Sequence, residues 1–254
     1  MIRYSFSILL ILALVNASSC QQDKEKVKIF ISWPGSKSLP HYSWNYSDSK
    51  PTGVEPRLIE KVLKIANIDF EYVRNYQPRN KKGDPRIDVL KENYADISIR
   101  GISITKSRKK DVLFSKPYYV DGLGIMIRKS DNISNLKDLT NKVIFAHSYT
   151  TAYNYVQEKL KHSKLVTYET GKYITPENLL KEKKIDAYII DITILKQIEK
   201  SNPELKVLPM KLTKEQLAIA VSKNRKDLLK KINNAIIQIE EKGGLDDLCT
   251  DFEK

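Results

Sequence analysis

The sequence predicts an α/β protein, because apolar runs of period two alternate along it with segments of helical spacing, and because caps and prolines mark the helix starts. Residues 27–32 alternate apolar and polar as a strand does. Over 56–66, Leu58, Ile59, Val62, Leu63 and Ala66 share one helical face, and Pro56 suits a first-turn position. Residues 96–100 are a short β-branched strand, and 123–128, 143–146, 187–191 and 217–221 read as further strands. Helices are expected over 151–160 and 176–183. The second opens with Thr175 as a cap followed by Pro176, whose missing N–H costs nothing there. Leu228, Ile232, Ala235, Ile236 and Ile239 mark a long amphipathic helix that Gly243-Gly244 stops. Alternation of this kind predicts mostly parallel strands. Residues 75–86, with Pro78, Gly83 and Pro85, are expected to be a polar loop, and 200–215, with Pro203 and Pro209, a connection between two bodies.

The beginning of the chain sets the compartment. Arg3 precedes an apolar run over 6–15 that is too short to span a bilayer and has the length of a signal-peptide core. Asn16-Ala17-Ser18-Ser19-Cys20 resembles the bacterial lipobox, with Ala17 where Leu is usual. The resemblance implies cleavage before Cys20 and its acylation, with a polar tether over 21–27; the alternative is an ordinary secretory signal cut near Ser19. Cys249 is the one other cysteine, so a disulfide framework is excluded. The remaining length allows two modest cores or one large one.

The formal net charge is +13, yet the lysines are scattered over nearly every polar helix face and loop, which describes solvated surface rather than a docking stripe. No nucleic-acid motif accompanies the charge, and aromatic residues do not interleave with it as a stacking platform requires. Weak attraction to anionic phospholipid is its expected side effect. His41, His147 and His162 are too dispersed to form a metal-ligand pattern, and the sequence carries no nucleophile elbow, phosphate-binding loop or zinc-protease motif. No cofactor is expected.

The most informative stretch is 95–108. A strand ends at Arg100, Gly101 allows close backbone approach, and Thr105 can cap a helix holding Arg108 in its first turn, near the carboxyl end of the strand where ligands of open α/β sheets sit. The planar fork of Arg108 offers two parallel N–H bonds to a carboxylate and never loses its charge. With Phe114-Ser115-Lys116-Pro117-Tyr118-Tyr119 after it, this stretch closely resembles the bacterial extracellular solute-binding proteins of polar amino-acid transporters, family 3. The likeness continues through the Gly53 entry to the first helix, where Val54 and Glu55 replace an aromatic residue and an aspartate. It extends over 142–151, with Tyr149 where glycine is common, 185–191, 217–221 and Gly243-Gly244.

The resemblance implies a bilobal type II periplasmic-binding-protein fold, two α/β lobes joined by two hinge strands. Lobe 1 would comprise 28–120 and 216–254 and lobe 2 would comprise 121–215, with hinges near 119–124 and 212–217. It implies capture of an amino acid, acidic or polar, for an ABC transporter permease by a monomeric lipoprotein of the periplasm or cell surface. Arg108 and Ser103 would take the carboxylate, and Thr150 and Thr151 at a helix start would add donors. Asp191 would take the ammonium and the Gly101 carbonyl a further bond. Arg100, just before Gly101, either suits an acidic solute side chain or pairs with a local acid. Trp33, Trp44 and Tyr76 are candidate walls for the solute stem, with core or rim packing the alternative for each and Trp33, directly after the first strand, the favoured contact; His147 is a candidate cleft residue. The rival readings are a cyclohexadienyl-dehydratase-like enzyme on the same fold, which needs a positioned acid beside Asp191 that the sequence does not offer, and a sensory or surface lipoprotein.

Overall fold

The computed structural model describes residues 26–79, 82–168 and 175–253. The expected signal segment and Cys20 lie outside the described residues. In chain order the elements are β1 (Val27–Phe30), β2 (Ser36–Ser38), β3 (Tyr42–Trp44), α1 (Val54–Ile65), β4 (Phe70–Tyr72), α2 (Pro85–Lys91), β5 (Ile97–Ser98), a 3-10 turn (Arg108–Lys110) and the long β6 (Leu113–Asp121). Then come β7 (Leu123–Arg128), a second 3-10 turn (Leu136–Leu139), β8 (Val143–Phe145), α3 (Thr151–Lys159), β9 (Lys164–Val166), α4 (Pro176–Lys181) and β10 (Ala187–Asp191). The chain closes with α5 (Ile192–Lys200), β11 (Leu205–Val207), β12 (Glu215–Val221), α6 (Lys226–Glu241) and α7 (Gly244–Glu253).

These strands form two sheets, in the orders β4-β1-β5-β12-β6 and β11-β7-β10-β8-β9, with β2 and β3 a separate hairpin. The expectation of mostly parallel strands is corrected. β1 is parallel to β4 and β5, and β8 to β9 and β10, but β12 runs against β5 and β6, and β7 against β10 and β11. The reason lies in the connections. The chain leaves the first sheet along β6 and enters the second through β7 after one residue, then returns through β12, so each sheet receives one reversed strand at the crossings, β12 in the first and β7 in the second. β11 also falls inside the stretch read as a connection and adds an edge strand to the second sheet.

Each sheet is covered on both faces. In α1 the buried Val54, Leu58, Ile59, Val62 and Leu63 form one stripe, which packs with Leu228, Ile232, Ile236 and Ile239 of α6 and Phe252 of α7 on the first sheet. The opposite face carries Ile87, Val89 and Leu90 around α2 against Phe30 and Ala220. The second sheet has Ala152 and Val156 of α3 on one face and Leu180 and Leu195, from α4 and α5, on the other. Gly243, at φ +66°, ends α6 as expected, but the chain turns straight into α7.

The two crossings run side by side. Leu123 N–H donates to the Thr213 hydroxyl at 2.9 Å, and Leu212 N–H to the Leu123 carbonyl at 2.8 Å. Glu215 is in register with Asp121. Gly122 between β6 and β7 has no room for a side chain, because a Cβ there would run into the Thr213 carbonyl oxygen.

Candidate functional site

A cavity of about 590 Å³ opens where the carboxyl ends of β5, β8 and β10 face one another, a size and place suited to a small solute. Arg108, Arg100, Gly101 and Ser103 reach it from the first sheet, and His147, Thr150, Thr151 and Asp191 from the second. Trp33 lines it too, held by its indole N–H on the Tyr76 carbonyl at 2.7 Å. Tyr76 is the exception and takes the core alternative. It is fully buried, edge-on to Phe30 at 5.5 Å, and lies in the core beneath Trp33 rather than on the cavity wall.

Local sequence explains these placements. Arg108 N–H donates to the Thr105 hydroxyl at 3.2 Å, so Thr105 caps the short turn that presents the arginine. The Thr150 hydroxyl accepts from Tyr153 N–H at 3.1 Å and caps α3, aiming the helix's first N–H groups at the cavity. Gly101 sits at φ +54°, a left-handed conformation that glycine adopts without strain, and lies beside Asp191 of the other sheet.

Arg108 is buried, and its fork is engaged. Nη1 donates to the Ser103 carbonyl at 3.0 Å, and Nη2 donates to Asp84 and to the Tyr149 carbonyl, each at 3.1 Å. Burial, with Arg86 nearby, lowers it to about 10 against the pull of Asp84. Asp84 also grips Arg86, at 2.8 Å to Nε and 2.9 Å to Nη2, and Arg86 donates to the same Tyr149 carbonyl at 3.0 Å. Burial alone would raise Asp84, but Arg86 and then Arg108 outweigh it and hold the carboxyl below its usual range.

The Ser103 hydroxyl donates in a short bond to Glu215, which also accepts from Thr151 at 2.9 Å and from Thr213 at 3.0 Å. Asp84, Arg86, Tyr149 and Glu215 were not among the sequence-predicted residues. Asp84-Pro85 carried a helix-start signal, since Asp84 caps α2 by accepting from Arg86 N–H at 3.1 Å. Reading it would have placed Arg86 in a first turn, as Arg108 is. Nothing local announces Glu215.

Asp191 ends β10 with one edge on the cavity. Burial and then Asp121 push it up to about 7, opposed chiefly by His41. His41, Asp121 and Asp191 place ligand atoms within 4.8 Å of one another, a trio able to hold a metal that linear spacing did not reveal. His41 has other partners: Nδ1 lies 3.2 Å from Glu55, and Nε2 lies 3.4 Å from the Thr193 hydroxyl, which donates to Asp121 at 2.6 Å. Burial would lower His41, but the Glu55 carboxylate more than offsets it and the ring is held above its ordinary value. Glu55 also accepts from Gly101 N–H at 2.6 Å and, in a short bond, from Tyr118. His147, pushed down to about 4 by burial and then by Arg100 and Arg86, is neutral and bonds the Tyr188 hydroxyl at 3.0 Å.

The family model of "Bacterial extracellular solute-binding proteins, family 3" matches residues 35–252. The chain belongs to that family. Among curated relatives, the "ABC transporter arginine-binding protein 1" of Escherichia coli (strain K12) is 34% identical over 169 residues, 65% of this chain and 68% of the relative. The "L-cystine-binding protein TcyJ" of the same strain is 25% identical over 225 residues, 87% of this chain and 81% of the relative. Of solved structures, "An ancestral arginine-binding protein bound to arginine" matches with TM-score 0.77 at 24% identity, covering 90% of this chain and 98% of that one. The fold of this family 3 member is that of the type II periplasmic binding proteins, two α/β bodies around a solute cavity.

Proposed function

We propose that this chain captures an amino acid in the cavity between its two sheets and delivers it, chemically unchanged, to an ABC transporter. A guanidinium from one side and a carboxylate from the other, Arg108 and Asp191 lining one cavity, is the observation that carries the reading. An α-amino acid brings a carboxylate and an ammonium, and burying either without a partner is costly. Arg108, with the first N–H groups of α3, takes the carboxylate; Asp191, with the Gly101 carbonyl, takes the ammonium. Both Nη2 hydrogens of Arg108 are already used, so a parallel two-point grip requires Asp84 or the Tyr149 carbonyl to yield one. Lobes of 28–120 with 216–254 and of 121–215 close about hinges near 119–124 and 212–217, where the two crossings meet, and the closed form is what the transporter recognises. Relatives named for arginine, cystine and glutamine binding support the class of solute. The chain acts as a monomer held at the membrane through acylated Cys20. A thermal-shift panel of amino acids tests the reading: at least one raises the melting point, and Arg108→Ala abolishes the rise. No shift with any amino acid, or turnover of prephenate, would refute it.

A further inference from the structure

The charges on the cavity wall do not balance. Lys37, Arg86, Arg100 and Arg108 face Asp84 and Asp191. Asp84 is spent on Arg86 and Arg108 together, and Asp191 lies beside Gly101, where it receives the ammonium in the reading above. Lys37 is exposed to solvent, and Arg100 is left over as the half-buried cation. Its guanidinium stands 5.3 Å from the centre of the Tyr42 ring, and among the described residues no carboxylate lies within ion-pair distance of it. A half-buried arginine that points into a cavity without a counter-charge is costly to keep, unless the ligand brings the anion. His147 does not supply one: its ring is neutral and hydrogen-bonded to Tyr188.

We propose that the captured amino acid carries a second carboxylate on its side chain and that Arg100 binds it, with the Tyr42 ring holding the guanidinium in place. This rests on the amino-acid reading above and narrows it. A solute guanidinium in the same position would meet Arg100 and Arg86 with no free acid among the described residues to receive it, so the chain departs in solute class from the relatives named for arginine. Arg100 is a specificity-determining residue, because the ammonium and α-carboxylate positions use other groups.

Titration calorimetry on the full chain in mild detergent tests this with L-glutamate, L-aspartate, L-glutamine and L-arginine. Glutamate or aspartate is expected to bind roughly 10- to 100-fold more tightly than glutamine, the worth of a charge-assisted hydrogen bond. In Arg100→Ser the acid-over-amide ratio falls toward one, and in Arg100→Lys part of it returns, which a merely structural role would not produce. Arginine or glutamine binding more tightly than both acids, or a ratio unchanged in Arg100→Ser, overturns the proposal and leaves amino-acid capture standing. If none of the four binds, and a wider amino-acid panel also fails, the underlying reading falls as well.

Discussion

Asp191 gives the sharpest test of the site, because its carboxyl is pushed up to about 7 by burial and by Asp121. Ammonium binding needs the ionised form, so apparent affinity scales with the ionised fraction. That fraction is roughly one half at pH 7, one in ten at pH 6 and one in a hundred at pH 5, so affinity should weaken by about 90-fold from pH 8 to pH 5. The charges acting on Asp191 are Asp121, His41, Glu215 and Arg86, and together with burial, the largest cause, they set the midpoint. The same shift makes a stability prediction of opposite sense. An acid whose folded value is raised costs the solute-free protein nothing at low pH, and its cost grows as pH rises from the ordinary carboxylate range through about 7. The rise from the ordinary carboxylate range to about 7 is worth at most about 4 kcal/mol, and the position of Asp191 on the cavity reduces this. Asp191→Asn should therefore melt close to wild type at pH 4 and above it at pH 8, while binding amino acids roughly 10- to 100-fold more weakly at pH 8. Calorimetric titrations and melts from pH 4 to 8 measure both effects. Affinity that stays within twofold over that range, or a variant no more stable than wild type at pH 8, would refute the assignment.

Three further outcomes follow from the packing. Gly122→Ala drives a methyl into the Thr213 carbonyl and should cost about 1–3 kcal/mol in urea unfolding, since neither crossing can move without the other. His41→Leu strands Glu55, which is fully buried, and should destabilise by about 3–5 kcal/mol at pH 6. Because the folded value of His41 is raised, the stability it contributes is complete below the ordinary histidine range and fades as pH climbs through the folded value, so the loss on mutation shrinks at high pH. Tyr149→Gly keeps the carbonyl that Arg86 and Arg108 share and removes a side chain held at φ +63°, so a gain of about 1 kcal/mol is expected, read as a higher melting point.

Much of the fold was legible because periodicity records which faces are buried. The strands at 123–128 and 187–191 emerge with the bounds read from the sequence, and α1, α3 and α6 within a few residues of theirs. The short edge strands β4, β9 and β11 were not visible. With three residues each and one side toward solvent, they carry too little alternation to distinguish from loop, and their pairing is decided by the neighbouring strand. β6 was hidden differently: Lys116 and Pro117 interrupt its apolar pattern, and Pro117 is tolerated because β6 lies at the edge of the first sheet.

The site divides along the same physical line. Arg108 and Gly101 are legible because backbone demands fix them locally, a capped turn in one case and a left-handed residue in the other. Asp84, Arg86 and Glu215 act through partners 24 to 112 residues away in sequence, and no local pattern records such distances. Glu215 begins β12 with Ser103 of the first half and Thr151 of the second on its carboxylate, so it ties the two walls together from the crossing itself. Asp84 likewise gathers Arg86 and Arg108 beneath the Tyr149 carbonyl of the opposite wall. Glu215 and the two arginines held by Asp84 therefore carry contacts that exist only while the walls are together, and among the described residues Arg100 is the cavity arginine without a carboxylate partner. A sequence reading that stops at the groups expected to touch the solute misses the acids, and with them the reason Arg100 has no carboxylate partner among the described residues.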